Sequence, residues 1–194
     1  MVLVIATMSD NAAGADDQQE RPPSHLEEPR ELTPDYVAGF IDGEGCFSVS
    51  IHPHPTTRMR WVIDPCFQVY QHRENAVILE RIMDFLGCGR ISPKGPRSEV
   101  LTYSIDSRKD LIKALFPLLD AYPLVSRKRQ DYLFFKEIVL AMERNEHREV
   151  EGFRRLVELA FAMNNRGRQR KYTRLQVTEG ILRDHTPGTR EGDH

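Results

Sequence analysis

The chain has 194 residues, of which 40% are hydrophobic, and its formal net charge is −2. This length and apolar content suit one domain with its own core and leave little room for a second. No apolar stretch approaches the ~20 residues that a transmembrane helix needs, and the first residues lack the basic start of a signal peptide, so we expect a soluble, intracellular protein, cytoplasmic or organellar, without a membrane partner.

The charge is divided unevenly along the chain. Residues 1–35 hold eight acids and two bases, so the remainder, with 25 bases and 21 acids, is mildly basic. Residues 1–31 also have few large apolar side chains and contain three prolines, and we therefore expect a disordered acidic leader there. The three cysteines are far apart and form no Cys-x-x-Cys pair, which argues against a disulfide framework and a structural zinc site.

The first predicted element is a helix. Thr33 and Pro34 are a hydroxyl N-cap followed by a proline in the first turn, a pattern typical of a helix start. The helix is expected to end near Asp42, because Gly43 and Gly45 follow.

Alternating and helical hydrophobic patterns continue along the chain. They predict two strands, a helix, two further strands and three helices, at residues 46–52, 61–71, 75–86, 90–94, 99–105, 110–119, 129–144 and 149–163. Pro117 is expected to shorten or bend the first of the three later helices. This order of elements predicts an α+β fold with helices on one face of an antiparallel sheet.

Residues 37–45 read VAGFIDGEG. This string resembles, position for position, the nine-residue signature of the LAGLIDADG homing endonucleases, with Val and Phe in place of the two Leu, Gly in place of the second Ala and Glu in place of the second Asp. The resemblance implies an αββαββα core, which the predicted elements match over roughly residues 33–140, in an endonuclease domain at residues 32–165 with additional C-terminal helices. The composition of residues 166–194 indicates a basic C-terminal extension. The resemblance also implies site-specific cleavage of double-stranded DNA. One signature in one chain implies a homodimer on a long, roughly palindromic target.

The signature helix is expected to have two different faces. Val37, Phe40 and Ile41 share an apolar stripe that should face the core of the domain. Gly39 and Gly43 lie four residues apart on another stripe, where the backbone of a partner helix could approach closely. We therefore expect these two glycines at the dimer interface, and Asp42 is interpreted as a structural residue at the helix end.

The resemblance assigns the chemistry to a few residues. It implies that Glu44 binds divalent metal together with the carbonyl of Gly43. Two such carboxylates at the negative ends of two helices would attract Mg²⁺, or Mn²⁺, which prefer oxygen ligands. The sequence FQVYQ resembles the family strand that ends beside the active site, where Gln71 would orient water. The basic run LVSRKRQ resembles the start of a later helix, which would place Arg127, or next Lys128, near the scissile phosphate.

The polar faces of the two predicted hairpins are expected to read base edges in the major groove of double-stranded DNA. The expected contacts are Ser48, Ser50, His52, Arg58, Arg60, Gln68, Tyr70, Arg90, Ser92, Lys94, Arg97 and Glu99. A basic run near the C-terminus would add phosphate contacts without sequence preference, through Arg168, Arg170 and Lys171.

Two other functions are compatible with this fold, a non-catalytic DNA-binding regulator and an intron RNA maturase. Loss of the metal-binding acid would favour the regulator, but Glu44 is present. A maturase should require the intron RNA and tolerate loss of Glu44. The sequence does not support a metabolic enzyme, because it contains no nucleotide-binding loop, catalytic triad or cofactor motif.

Overall fold

The computed structural model describes residues 31–163 and 171–185, with side chains described as far as residue 181. The expected acidic leader lies outside these ranges apart from Glu31. The same is true of Arg168 and Arg170 in the expected C-terminal extension, whereas Lys171 is described.

Helices and strands in the described part follow the predicted order. The helices are α1 Pro34–Glu44, α2 Ala76–Leu86, α3 Arg108–Asp110, α4 Phe116–Ala121, α5 Lys128–Glu143, α6 Val150–Ala162 and α7 Arg174–His185. The strands are β1 Gly45–Pro53, β2 Trp61–His72, β3 Arg90–Pro93 and β4 Val100–Ile105. The predicted α+β class is confirmed.

The four strands form one antiparallel sheet in the order β1-β2-β4-β3. Its two faces differ because side chains alternate along each strand. One face carries Phe47, Phe67 and Tyr103, which are buried under the helices. The other face is polar, and it carries Gln68 and Arg90, which lie opposite Ser104 from its two sides. In the described part of the chain the sheet thus has one face in the core and one polar face opposite to it.

Helix α1 is two residues longer than expected. Gly43 does not end it, and the chain passes from Glu44 at its last position directly into β1 at Gly45. A Cβ on Gly45 would lie 2.6 Å from the carbonyl oxygen of Ile41 and 3.2 Å from the ring of Phe67, so a side chain does not fit there. Glu44 is therefore held at the carboxyl end of a helix that packs on the sheet.

The expectation that Phe40 belongs to the core stripe of α1 holds only in part. Val37 and Ile41 are fully buried, but Phe40 is half-buried. Its ring stacks on the ring of Tyr36 with 6.3 Å between the ring centres. Tyr36 is 49% exposed, so an aromatic pair borders the open side of the helix.

The predicted helix at residues 110–119 is a longer composite. A π-helical turn, Leu111–Leu115, separates α3 from α4, and the amide of Phe116 donates to the carbonyl of Leu111. Pro117 has no amide hydrogen with which to continue the regular ladder. The proline is thus accommodated by a local change of helical pitch.

Helix α7 was not predicted. Its Val177 and Ile181 are fully buried, and a Cβ on Gly180 would come within 2.7 Å of the indole nitrogen of Trp61. Tyr172 meets the same indole edge-on, with 5.2 Å between ring centres. The segment after the basic run therefore packs against the start of β2 and contributes to the core.

Candidate active site and nucleic-acid interface

Asp42 connects the carboxyl end of α1 to the segment that leads into α5 by hydrogen bonds. We call this contact region the junction. The Asp42 carboxylate accepts hydrogen bonds from the amides of Val125, at 3.1 Å, and Ser126, at 3.0 Å, and from the Ser126 hydroxyl. Burial by itself would raise the pKa of Asp42, but the hydrogen bonds from Ser126 and Val125 lower it below its usual value. The geometry agrees with the expected structural role of Asp42, because the side chain holds the segment that leads into α5.

Lys128, the first residue of α5, contacts the same end of α1. Its ammonium group donates to the carbonyl oxygens of Ile41, at 3.1 Å, and Gly43, at 3.0 Å. Burial lowers the pKa of Lys128, while the charges of Asp42 and Glu44 oppose that shift. A cation is therefore held at the negative end of the α1 dipole, on the carbonyl expected to bind metal.

Glu44 is exposed at the last position of α1. Its carboxylate makes no hydrogen bond or ion pair with any residue that the structure describes. The Glu44 carboxylate and the Gly43 carbonyl are oxygen ligands of the kind that a hard divalent cation prefers. The Gly43 carbonyl already attracts one cation, the ammonium group of Lys128. Among the described residues no group of three or more His, Cys, Asp or Glu side chains could hold a metal ion. One chain thus offers part of a metal site.

Gln71 and Arg127 lie near this junction in the fold. Val69 pairs with Gly45, and β2 continues past it, so Gln71 lies two residues, or ~7 Å, farther along the strand. Because Gln71 is two residues from Val69, both lie on the same face of the strand, which is the helix-covered face that α1 also contacts. Arg127 is exposed immediately before α5, and its side chain has no partner among the described residues. The structure thus brings Gly43, Glu44 and Lys128 together and leaves Arg127 free beside them.

The glycine stripe of α1 is open. Gly39 and Gly43 are both exposed, and a Cβ on either would meet nothing within 4 Å. Neither glycine has a positive φ. The fold of one chain therefore does not require glycine at these two positions.

Most of the expected base-reading residues lie on the polar face of the sheet. The residues on that face are Ser48, Ser50, His52, Gln68, Tyr70, Arg90, Ser92 and Lys94. Several of them contact each other: the hydroxyl of Tyr70 donates to Gln68 at 2.7 Å, and the ammonium of Lys94 lies 4.7 Å from the centre of the Tyr70 ring. The Ser48 hydroxyl is directed to the Cys66 carbonyl at 3.0 Å, so it is less available than an exposed serine.

The other expected contacts lie at the margins of this face. Arg58 is directed to Glu149, at 3.3 Å, and Arg60 donates to the carbonyl of Pro55 within the connection between β1 and β2. Arg97 and Glu99 are exposed between β3 and β4, and Glu99 pairs with Arg73 at 3.3 Å. Lys171 is exposed, and its ammonium lies 5.5 Å from the centre of the Tyr172 ring.

Two carboxylates of the polar face were not predicted as site residues. Asp64 lies 3.5 Å from a ring nitrogen of His52, and Asp106 lies 2.6 Å from the guanidinium of Arg90. The alternation of β2 already placed Asp64 on this face, and the alternation of β4, continued one residue past its end, places Asp106 there. Both acids orient basic side chains that are expected to reach DNA.

No helix in the described ranges is both long and apolar enough to traverse a lipid bilayer.

Known proteins resemble this chain in sequence and in structure. The family model for LAGLIDADG endonucleases matches residues 37–139. Homing endonuclease I-ApeII from Aeropyrum pernix is 35% identical over 150 residues, which cover 76% of this chain and 87% of the relative. The archaeal intron-encoded homing endonuclease I-Vdi141I, solved in complex with DNA, is similar with a TM-score of 0.72 and 32% identity, over 78% of this chain and 95% of its own.

A third likeness is to I-SmaMI bound to its uncleaved DNA target in the presence of calcium ions. The TM-score is 0.66 and the identity is 32%, over 69% of this chain and only 45% of the I-SmaMI chain. The segment that the family model matches, residues 37–139, begins with the VAGFIDGEG signature and extends through the four strands into α5. This chain belongs to the LAGLIDADG endonuclease family.

Proposed function

We propose that this protein is a site-specific homing endonuclease that works as a homodimer and hydrolyses both strands of DNA with divalent metal. The observation that carries the proposal is the exposed carboxylate of Glu44 at the end of α1, beside the Gly43 carbonyl. No hydrogen bond or ion pair with a described residue engages this carboxylate. A charged group that the fold does not use is available for chemistry.

Glu44 and the carbonyl of Gly43 would hold the metal ion, with Mg²⁺ or Mn²⁺ as the suitable cation. When bound, such an ion supplies an activated water and stabilises the charge that develops on the phosphate. Lys128 and Arg127 provide positive charge at the same helix junction, where they would bind the scissile phosphate. Gln71 would orient water from the neighbouring strand.

Homodimerisation is supported by the open stripe of α1. Gly39 and Gly43 leave room for a second backbone, and the Tyr36–Phe40 pair offers apolar surface at the edge of that stripe. Two α1 helices packed there would bring their Glu44 residues together. The comparisons support a chain that supplies half of an active site, because the match covers 95% of the I-Vdi141I chain but only 45% of the I-SmaMI chain. A twofold axis through the stripe would complete the active site.

The polar face of the sheet would read the target in the major groove. Its serine, glutamine and arginine side chains match the donors and acceptors that base edges present there. Arg90 is the best placed for guanine, because Asp106 fixes its guanidinium at 2.6 Å while leaving other N–H groups free. Two copies of this face related by the twofold axis would cover a long, roughly palindromic site.

The test begins with selection of cleaved sites from a random DNA library by the full chain with Mg²⁺. We expect cleavage of one sequence class, and loss of cleavage without loss of binding in Glu44→Gln. Glu80→Gln, an exposed glutamate on α2, is the matched control and should cut normally. Retained cleavage by Glu44→Gln would refute the proposed mechanism, and a wild-type protein that binds but never cuts would favour the regulator.

A further inference from the structure

The 3-10 turn Glu146–Arg148 between α5 and α6 is rigidly held. The Glu146 carboxylate pairs with Arg144 at 2.7 Å and also with Arg155, and Asn145 adopts a left-handed conformation with φ 63°. On α6, Gly152 packs so closely against the carbonyl of Glu146 that no side chain would fit. A surface turn fixed from several sides is pre-organised to present its remaining side chains.

The turn borders a cavity of about 940 Å³ that opens along the polar face of the sheet. The first half of β2, Trp61–Cys66, extends beyond its pairing with β4, which begins at Phe67. Ser50 and Gln68 line the cavity on the side of the sheet, and His147 and Arg148 line it on the side of the turn. DNA lying across the polar face would therefore pass beside the turn.

Positive charge remains unpaired at this wall of the cavity. Arg108 donates to the carbonyl of Met142 at 2.8 Å, and neither Arg108 nor Arg148 has a carboxylate partner among the residues that the structure describes. Among the other charged groups of the lining, Asp106 pairs with Arg90 and Arg58 pairs with Glu149, while Asp64 lies 3.5 Å from a ring nitrogen of His52. The two arginines outnumber the one acid without a cationic partner. The wall thus attracts an anion.

His147 supplies a second observation. Its Nδ1 atom is buried and has no hydrogen-bond partner among the described residues. Burial lowers the pKa of His147, and the charges of Arg108 and Arg148 lower it further. The imidazole is therefore neutral inside the wall, beside the charges of Arg108 and Arg148, and it adds no charge of its own to them.

We propose that Arg108 and Arg148, with the neutral His147 beside them, form a DNA phosphate-binding site beside the first hairpin. This proposal rests on the proposed function, because the ligand is the sugar-phosphate backbone of a duplex lying on the polar face. The site fixes the position of the backbone and contributes no sequence preference. It enlarges the interface beyond the two hairpins and the C-terminal basic run.

The experiment measures the affinity of the full chain for a random-sequence duplex over a series of salt concentrations, without divalent metal. Removal of one phosphate contact lowers the slope of log affinity against log salt by about 0.9. We expect that change, with about tenfold weaker binding at physiological salt, in Arg148→Ala. Arg148→Lys should retain the slope because it retains the charge.

Arg154→Ala is the matched control, because Arg154 is a charged residue of α6 that pairs with Glu151 and does not line the cavity. Equal slopes for Arg148→Ala, Arg154→Ala and the wild type would overturn the phosphate site while leaving the nuclease proposal intact. A wild-type protein without affinity for the duplex would instead count against the proposed function.

Discussion

Replacement of both α1 glycines by alanine separates the stability of one chain from that of the dimer. A Cβ on Gly39 or on Gly43 meets nothing within 4 Å in the chain itself. Alanine in a helix interior is more favourable than glycine by roughly 0.8–1 kcal/mol. We therefore expect Gly39→Ala/Gly43→Ala to raise the free energy of unfolding of the monomer by roughly 1.5–2 kcal/mol.

One of the same methyl groups should weaken the dimer. If a second α1 helix packs on the stripe, the methyl group at position 39 enters a close backbone contact, and overpacking costs typically ~1–3 kcal/mol. Alanine at position 43 is the residue of the family signature and adds no such cost. Twofold symmetry doubles every substitution at the interface. The loss of at least ~2 kcal/mol corresponds to a dimer dissociation constant raised about 30-fold or more.

Two measurements follow on the full chain. Urea unfolding of the dissociated protein gives the monomer stability, and sedimentation equilibrium gives the dissociation constant. Gly95→Ala is the control, since Gly95 lies in the connection between β3 and β4 and a Cβ there also meets nothing within 4 Å. A double variant that is more stable and dimerises as tightly as the wild type would refute the assignment of the stripe to the interface.

Three further substitutions test the junction at the end of α1. Asp42→Asn should cost about 1–2 kcal/mol of stability at neutral pH, because it weakens hydrogen bonds to a charged carboxylate. The pKa of Asp42 is lowered in the folded state, so the advantage of the wild type should vanish as pH falls from above the ordinary aspartate value of about 3.9 through the folded value, which urea unfolding against pH would show. Lys128→Met should raise the affinity of the DNA complex for Ca²⁺ about tenfold, measured by calorimetry. The substitution frees the Gly43 carbonyl and removes a positive charge near Glu44. Unchanged or weaker Ca²⁺ binding would contradict this expectation. Gly45→Ala should destabilise the fold by ~1–3 kcal/mol in thermal unfolding, since its Cβ would meet the Ile41 carbonyl and the Phe67 ring, and a wild-type melting temperature would contradict it.

The strands and the polar face could be predicted because they depend on local alternation. In β2 the alternation predicts burial of Ile63, Phe67 and Val69, and all three are buried. Asp64 and Gln68 lie on the other face, as the same alternation predicts. Such a pattern needs no knowledge of distant contacts.

The details of the junction could not be predicted in the same way. The contact between Asp42 and Ser126 joins residues 84 positions apart, and the bond from Lys128 to the Gly43 carbonyl spans 85. No local pattern encodes either contact. The Glu146–Arg148 turn escaped prediction for the same reason, because its shape depends on the packing of α6.

Helix α7 was missed for a different reason. It follows a strongly basic run and carries few apolar residues, of which Val177 and Ile181 are buried. The composition favoured an extension, whereas packing on Trp61 and α6 stabilises a helix. Tertiary contacts here override a weak local preference.

The most direct test of the metal site counts Mn²⁺ by electron paramagnetic resonance in the complex of the full chain with a duplex that carries the selected site and cannot be cleaved. We expect tightly bound Mn²⁺ in the wild-type complex. The Glu44→Gln complex should lose it while the DNA remains bound. Equal amounts of Mn²⁺ in both complexes would contradict the claim that Glu44 from two chains forms the catalytic metal site.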